Sequence, residues 1–356
     1  MSLISDQAEP ELIQEGAEWI EIHPRVSRIH LLKVPSFALL ADRVISKCQG
    51  QFDLVHGFGF SLKHPHAINS SQFVHAAWGR SAAHRKNRGW NAKTVYQRCY
   101  TRLNERWERI AYSKAGRVIA CSAQVRQDLI SIGVIESRIR VIPNGVDVGE
   151  FSPGYVDRRS LCLPEGVPLA LFVGDIRTSR KNLDAVLRGL LLRPTTHLAV
   201  VGSVYGSSYP LLAKSLGLEE RVHFLDFRAD ISDLMRTADV FVFPSLYEPF
   251  GLVVLEALAS GLPVITAKTV GAAEIVSEGG GIVVDNGGDE NQLAEAMSQI
   301  LDDPARSRSM RRAARLSAEN YSWERVASEY MEEYERVLRE GRNDKNGGPV
   351  QRWLVR

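Results

Sequence analysis

Residues 244–267 read PSLYEPFGLVVLEALASGLPVITA, and between Pro249 and Ala267 the only charged side chain is Glu256. The run VFVFPS that leads into it is continuously apolar, as a strand buried on both faces of a parallel sheet would be, and LYEPF reads as a loop. A helix is predicted from about Gly251 to Ser260, because Pro249 suits a first helical turn and Gly261 with Pro263 ends one. PVITA then returns as a strand, which completes the repeating unit of a parallel α/β sheet. The start of that helix leaves the backbone N–H groups of Phe250, Gly251 and Leu252 without internal partners, where an anion or a sugar hydroxyl can accept from them. Glu248 stands at the mouth of this site. Glu256 lies more than a turn further in, where an ionised carboxylate is costly unless donors reach it. The donors come either from the chain, through an Arg or a loop cap, or from a hydroxyl-rich ligand lying over the helix.

The same alternation of short apolar runs and helix-like segments extends over most of the 356 residues. Strands are predicted at WIEIH, RIHLLKV, FDLVHGF, SSQFVHAA, RVIACS and RIRVIPN in the first half. In the second half they fall at LALFVGD, HLAVVGS, RVHFLDF, VFVFPS, PVITA and GIVV. Between the halves, IPNGVDVGEFSPGYVDRRSLCLP is rich in turn formers and reads as a linker. The expected division is a first domain over 1–148, a second over 149–320, a C-terminal helix over 321–340 that packs back on the first domain, and a flexible tail over 341–356. Trp323, Val326, Tyr330 and Tyr334 give that helix an apolar stripe.

Composition narrows the class. A chain with 44% hydrophobic and 24% charged residues can bury two full cores, and a net charge of +2 gives no reason to expect a nucleic-acid partner. No apolar run approaches the roughly 20 residues that span a bilayer. Cys48, Cys99, Cys121 and Cys162 form no C-x-x-C pair, and the chain opens without a charged-then-apolar signal segment, so a reducing cytoplasm is expected. No G-x-G-x-x-G follows an early strand and no P-loop occurs, which argues against a dehydrogenase, an epimerase or a P-loop NTPase.

FVGDIRTSRKNLDAVL follows a strand and opens a helix, so Arg180 and Lys181 stand where two cations can face a diphosphate, unless they are simply solvated. With PNGVD upstream, GAAE downstream and the E-x7-E of EPFGLVVLEALASGLPV, the chain from about His56 to about Leu338 resembles the retaining glycosyltransferases of family four. The resemblance implies the GT-B fold, two Rossmann-like domains facing across a cleft. It also implies a hexosyltransferase that moves a sugar from a nucleotide diphosphate sugar to a glycan or lipid-linked acceptor, without a metal or other cofactor. By match, Glu256 takes the nucleotide ribose, Glu248 the donor sugar and Lys181 the diphosphate. Asp175 departs from the basic residue common after the glycine, leaving Arg177 or Arg180 to substitute. Phe227 and Arg228, after the third strand of this domain, match the loop that holds the base, and Gly271 matches a loop near the donor phosphate; Glu274 caps a helix or lies beyond that loop. Pro249, Phe250, Gly251 and Leu252 form the helix start beneath the donor. In the first domain His75 matches the histidine that faces the donor sugar, brought there by cleft closure, and His56 is a second candidate. His64, His66 and His75 are too irregularly spaced for a metal site.

Trp78 to Arg117 is the most basic segment, with eleven Lys or Arg against Glu105 and Glu108 and with Trp78, Trp90, Tyr96 and Tyr100 interleaved. It reads as a solvated helix, as a contact with anionic membrane, or as an RNA contact in a chain that otherwise shows no RNA module, with Arg85, Lys86, Arg88 and Arg98 among its cations. The expected setting is the inner face of the plasma membrane and the expected product a lipopolysaccharide or exopolysaccharide. The first domain is expected to lack its first strand and Gly-rich loop, through a start placed too far downstream or a shortened chain. A catalytically impaired nucleotide-sugar-binding protein of the same fold is therefore the competing reading.

Overall fold

A computed structural model describes residues 1–24, 30–48, 50–81, 83–84, 92–276 and 279–343. Contacts among the described residues divide the chain into two compact units. The first comprises 1–79, 92–142 and 330–343, and the second comprises 80–84 and 143–329. The division after Ile142 comes earlier than the expected 148/149.

In the first unit β1 (Ser2–Ser5) and β2 (Glu18–Glu21) pair in parallel as a separate two-stranded sheet, joined by the helix Pro10–Gln14. The main sheet is β3 (His56–Phe58), β4 (His66–Ser71), β5 (Ala115–Ala120) and β6 (Ile139–Val141), all parallel and in sequence order. β4 is buried along its whole length, which suits a strand covered on both faces. Three expectations fail here. Residues 2–5 do form a strand, so the reading of the opening as strandless is corrected. The described part of RIHLLKV is not a strand but the start of the helix His30–Lys47, which buries Ala38, Ala41 and Ile45 at helical spacing and packs Ala41 and Ile45 with Ile22 and Leu62. In place of a strand at SSQFVHAA the chain leaves β4 at Ser71 and begins a helix, His75–Arg80.

The second unit carries β7 (Leu169–Val173), β8 (His197–Val201), β9 (Val222–Phe224), β10 (Val240–Phe243), β11 (Val264–Ala267) and β12 (Gly281–Val284). They form one parallel sheet in the order β12-β11-β10-β7-β8-β9. All six were legible as apolar runs, because parallel strands packed under helices on both faces need no polar alternation. Val186, Leu187 and Leu190 from the helix Leu183–Leu191, with Leu293, Met297 and Ile300 from Glu290–Leu301, close over Phe172, Val200 and Val242. In this order the direction of winding reverses between β7 and β10. The carboxyl ends of strands at such a switch point are where doubly wound sheets bind ligands.

The helix Trp323–Asn343 starts in the second unit and belongs to the first from Tyr330 onward. There His56 bridges Tyr334 Oη and Ser70 Oγ, at 2.8 Å each, and Tyr330 Oη lies 3.1 Å from Ser70 Oγ. Glu333, fully buried, binds Arg140 at 2.8 Å, and Arg117 approaches to 3.9 Å. Tail residues 344–356 lie outside the described residues. Among the described residues no helix is long and apolar enough to cross a membrane.

Candidate functional site

The loops after β7 and β10 meet at the switch point. The first ends in a short turn, Ser179–Lys181, whose carbonyl at Arg180 accepts from Leu246 N–H at 2.9 Å and from Ser245 Oγ at 3.1 Å. Asn182, fully buried in the left-handed region at φ 64°, donates its side-chain amide to Pro244 O and Gly287 O at 3.2 and 2.6 Å. It fixes the turn and was missed in the sequence, where an Asn before a helix reads as an ordinary cap. Gly202, after β8, approaches the same loop so closely that a Cβ there would stand 2.1 Å from Gly174 O. This scaffold brings three of the expected residues together. Lys181 Nζ bonds Glu248 Oε2, and Arg180 Nη1 lies 3.5 Å from the same oxygen. Burial holds the Lys181 ammonium below its usual range, with Glu248 opposing that shift and Arg180 adding to it. Arg177 pairs instead with Asp175 at 2.8 Å, so of the two proposed substitutes for the missing basic residue only Arg180 meets Glu248.

Glu248 is held by its backbone: its N–H reaches Thr269 O at 3.1 Å and its carbonyl accepts from Gly271 N–H at 2.9 Å. Gly271 thus spends its N–H on joining two loops. Pro249 and Phe250 are buried, and Phe250 O accepts from Ala272 N–H at 2.8 Å. Gly251 caps the helix Leu252–Ala259 at φ 99°, with Val270 Cγ1 3.1 Å from where a Cβ would stand. A side chain would be strained there in both respects. The helix therefore starts at Leu252, one residue later than expected, and Phe250 N–H precedes the cap. Along it Val254, Leu255, Ala257 and Leu258 are fully buried. The Glu256 carboxylate makes no hydrogen bond or ion pair among the described residues, and burial, with the charge of Glu150 behind it, pushes its pKa up to about 7. The described residues supply none of the donors that an ionised Glu256 needs.

Phe227 lies on the loop after β9 and is 82% exposed. Asp226 before it adopts φ 56°, and its carboxylate accepts from Val204 N–H at 3.1 Å, tying this loop to the one after β8. Arg228 is engaged by Asp230, through Nε at 2.7 Å and through Nη2, so its charge is already paired. Glu274 lies in the first turn of the short helix Ala273–Val276.

The first unit holds a separate constellation. His75 opens its helix with backbone N–H and Nδ1 both on Glu108: N to Oε1 and Oε2 at 3.0 and 2.9 Å, and Nδ1 to Oε1 at 2.6 Å. Phe60, Phe73 and Tyr100 present T-shaped contacts to the imidazole. Glu108 carries no site signal in the sequence, because it sits in a basic helix, Ala92–Lys114, where Glu105 pairs with Arg109 on the surface at 3.0 Å. His56 is excluded as a sugar-facing residue: it is spent on Ser70 and Tyr334, and burial brings its pKa down to about 4. His66 is likewise structural, between His64 O and the Asn69 side chain. Of the basic segment, 82 and 85–91 lie outside the described residues, among them Arg85, Lys86 and Arg88. Among the described residues no three His, Cys, Asp or Glu side chains converge as a metal site.

Known proteins resemble both units. The family described as Glycosyl transferases group 1 matches residues 156–317, and that described as Glycosyltransferase Family 4 matches residues 2–150. The D-inositol 3-phosphate glycosyltransferase of Mycobacterium avium is 34% identical over 254 residues, which is 67% of this chain and 59% of that protein. The chain thus spans somewhat over half the length of the curated relatives it matches. The sucrose-phosphate synthase (tll1590) from Thermosynechococcus elongatus superposes with a TM-score of 0.76 at 23% identity, covering 90% of this chain and 84% of that one. WaaG, a glycosyltransferase involved in lipopolysaccharide biosynthesis, does so with 0.72 at 21%, covering 98% and 91%. At such identities the structural likeness is one of fold, and it is the GT-B fold.

Proposed function

Because the chain belongs to the group 1 glycosyl transferases of family four, we propose that it moves a hexosyl unit from a nucleotide diphosphate sugar to a cell-surface glycan acceptor, with retention at the anomeric carbon. The observation that carries this reading is the meeting of Arg180, Lys181 and Glu248 at the switch point of the second unit. Two cations there match the charge of a diphosphate, and they would stabilise the leaving group as it gains charge. Glu248 would pass from Lys181 to a sugar hydroxyl, and the ribose hydroxyls would give Glu256 the donors the chain withholds. Phe227 is free to lie against the base. With the leaving phosphate assisting deprotonation of an acceptor that attacks from the same face, little acid–base work falls to protein groups, and positioning dominates. No metal is required by this scheme. The basic segment supports a place on an anionic inner membrane face, where a lipid-linked acceptor would be met. The name of the Mycobacterium avium relative favours a second reading, in which the acceptor is a phosphorylated cyclitol.

The test is a thermal-shift panel of UDP, GDP and ADP sugars, followed by transfer assays to lipid-linked glycan and inositol phosphate acceptors. One nucleotide should raise Tm, transfer should survive EDTA, and Lys181→Ala should lower turnover strongly. A panel without any stabilising nucleotide would overturn the reading, and nucleotide binding without transfer to any acceptor would favour the non-catalytic alternative. Activity lost in EDTA and restored by a divalent ion would overturn the metal-free scheme.

A further inference from the structure

We propose that Glu108 is the positioning residue of His75, fixing both the tautomer and the direction of the imidazole. The inference rests on the reading of His75 as the group that faces the donor sugar. Glu108 is only 1% exposed, although it is carried by one of the most basic helices in the chain. Its two oxygens face three N–H contacts from a single residue: the backbone N–H of His75 meets both oxygens, and the ring Nδ1 meets Oε1 at 2.6 Å. A buried carboxylate persists only where donors satisfy it, and here His75 supplies the donors. Carboxylate oxygens only accept, so the proton of the neutral ring resides on Nδ1 and the lone pair on Nε2. Nε2 has no partner among the described residues. The backbone contact matters as much as the ring contact, because it anchors the helix start that carries His75. The T-shaped contacts with Phe60, Phe73 and Tyr100 then leave the ring little freedom to turn about its Cβ. One carboxylate therefore sets where the ring stands and which nitrogen is offered to a ligand.

The geometry gives a consequence that a purely structural role would not. In Glu108→Gln the amide oxygen can accept only one of the two groups well, and an amide NH2 placed beside Nδ1 would force the proton to Nε2. The experiment is imidazole 15N NMR on the full chain, with the His75 signals assigned by their loss in His75→Ala, alongside steady-state kinetics of transfer. The parent should show the Nδ1–H tautomer, and Glu108→Gln should show a shift toward Nε2–H. It should also lose about tenfold to a hundredfold in kcat, at unchanged nucleotide affinity, because the nucleotide groups belong to the second unit. Glu108→Asp, which keeps the acceptor on a shorter arm, should retain the Nδ1–H tautomer and recover part of kcat, and it serves if the Gln variant does not fold. An unchanged tautomer in Glu108→Gln, or Nε2–H in the parent, would overturn the proposal. So would a folded variant with shifted tautomer and full kcat while His75→Ala is inactive. If the parent transfers no sugar, the functional reading fails, and the NMR still decides whether Glu108 sets the tautomer.

Discussion

Glu256 is a half-buried carboxylate and Glu108 a fully buried one, and only the first could be picked out of the sequence. Glu256 interrupts an apolar helix, so its isolation is visible as pattern. Glu108 sits among Arg and Lys, where an acid reads as part of a solvated face, and its burial depends on contacts with a residue thirty-three positions earlier. The two also differ in how the fold treats them: His75 satisfies Glu108, while no described side chain satisfies the Glu256 carboxylate. A raised carboxyl pKa means that the folded state keeps a proton that the unfolded chain has lost. Between the ordinary 4.5 and about 7 the parent therefore loses stability as pH rises, and above that window the loss is complete. Glu256→Gln carries no such charge, and it should be the more stable protein at pH 8 by on the order of 2 kcal/mol, with the gap nearly closed at pH 4.5. Urea unfolding of both proteins across that range measures it, and a gap that does not vary with pH would contradict the burial argument.

At the scale of elements, the second unit was legible and the first was only partly so. Apolar runs such as LALFV and VFVF admit one interpretation, because strands buried on both faces have no polar positions to confuse the period. HLLKV is different: five residues with three apolar positions are too few to fix a period, and only across the whole of His30–Lys47 does the spacing of Ala38, Ala41 and Ile45 show a helix, one that also tolerates Pro35. β1 is four residues long with no fully buried position, which leaves almost no apolar signal. The C-terminal helix was found from its stripe, but the ion pair that seats it was not, since Glu333 looks like any other acid in EEYER. Removing one partner of a buried pair strands the other, so Glu333→Ala should destabilise the protein by about 3 kcal/mol. In a double-mutant cycle with Arg140→Ala, the coupling should exceed about 1 kcal/mol. Additive losses in chemical denaturation would show that the 2.8 Å contact contributes nothing specific.

For the whole molecule, the central claim is that the switch point between β7 and β10 holds a nucleotide whose ribose completes the helix bearing Glu256. The strand order marks that place, whereas Lys181 and Glu248 stand sixty-seven positions apart in the sequence and only the fold brings them together. Isothermal titration of the nucleoside diphosphate selected by the thermal-shift panel tests the claim most directly, run from pH 6 to 8 in buffers of different ionisation enthalpy on the parent and on Glu256→Gln. Hydroxyl donors favour the ionised carboxylate, so the parent should bind more tightly as pH rises through about 7 and should release a proton from Glu256 on binding. Subtracting the variant removes the titration of the diphosphate itself. The variant should bind about tenfold or more weakly and lack that part of the proton release. Equal affinity and equal proton release in the two proteins would contradict the account, because the Glu256 carboxylate would then have no part in holding the nucleotide.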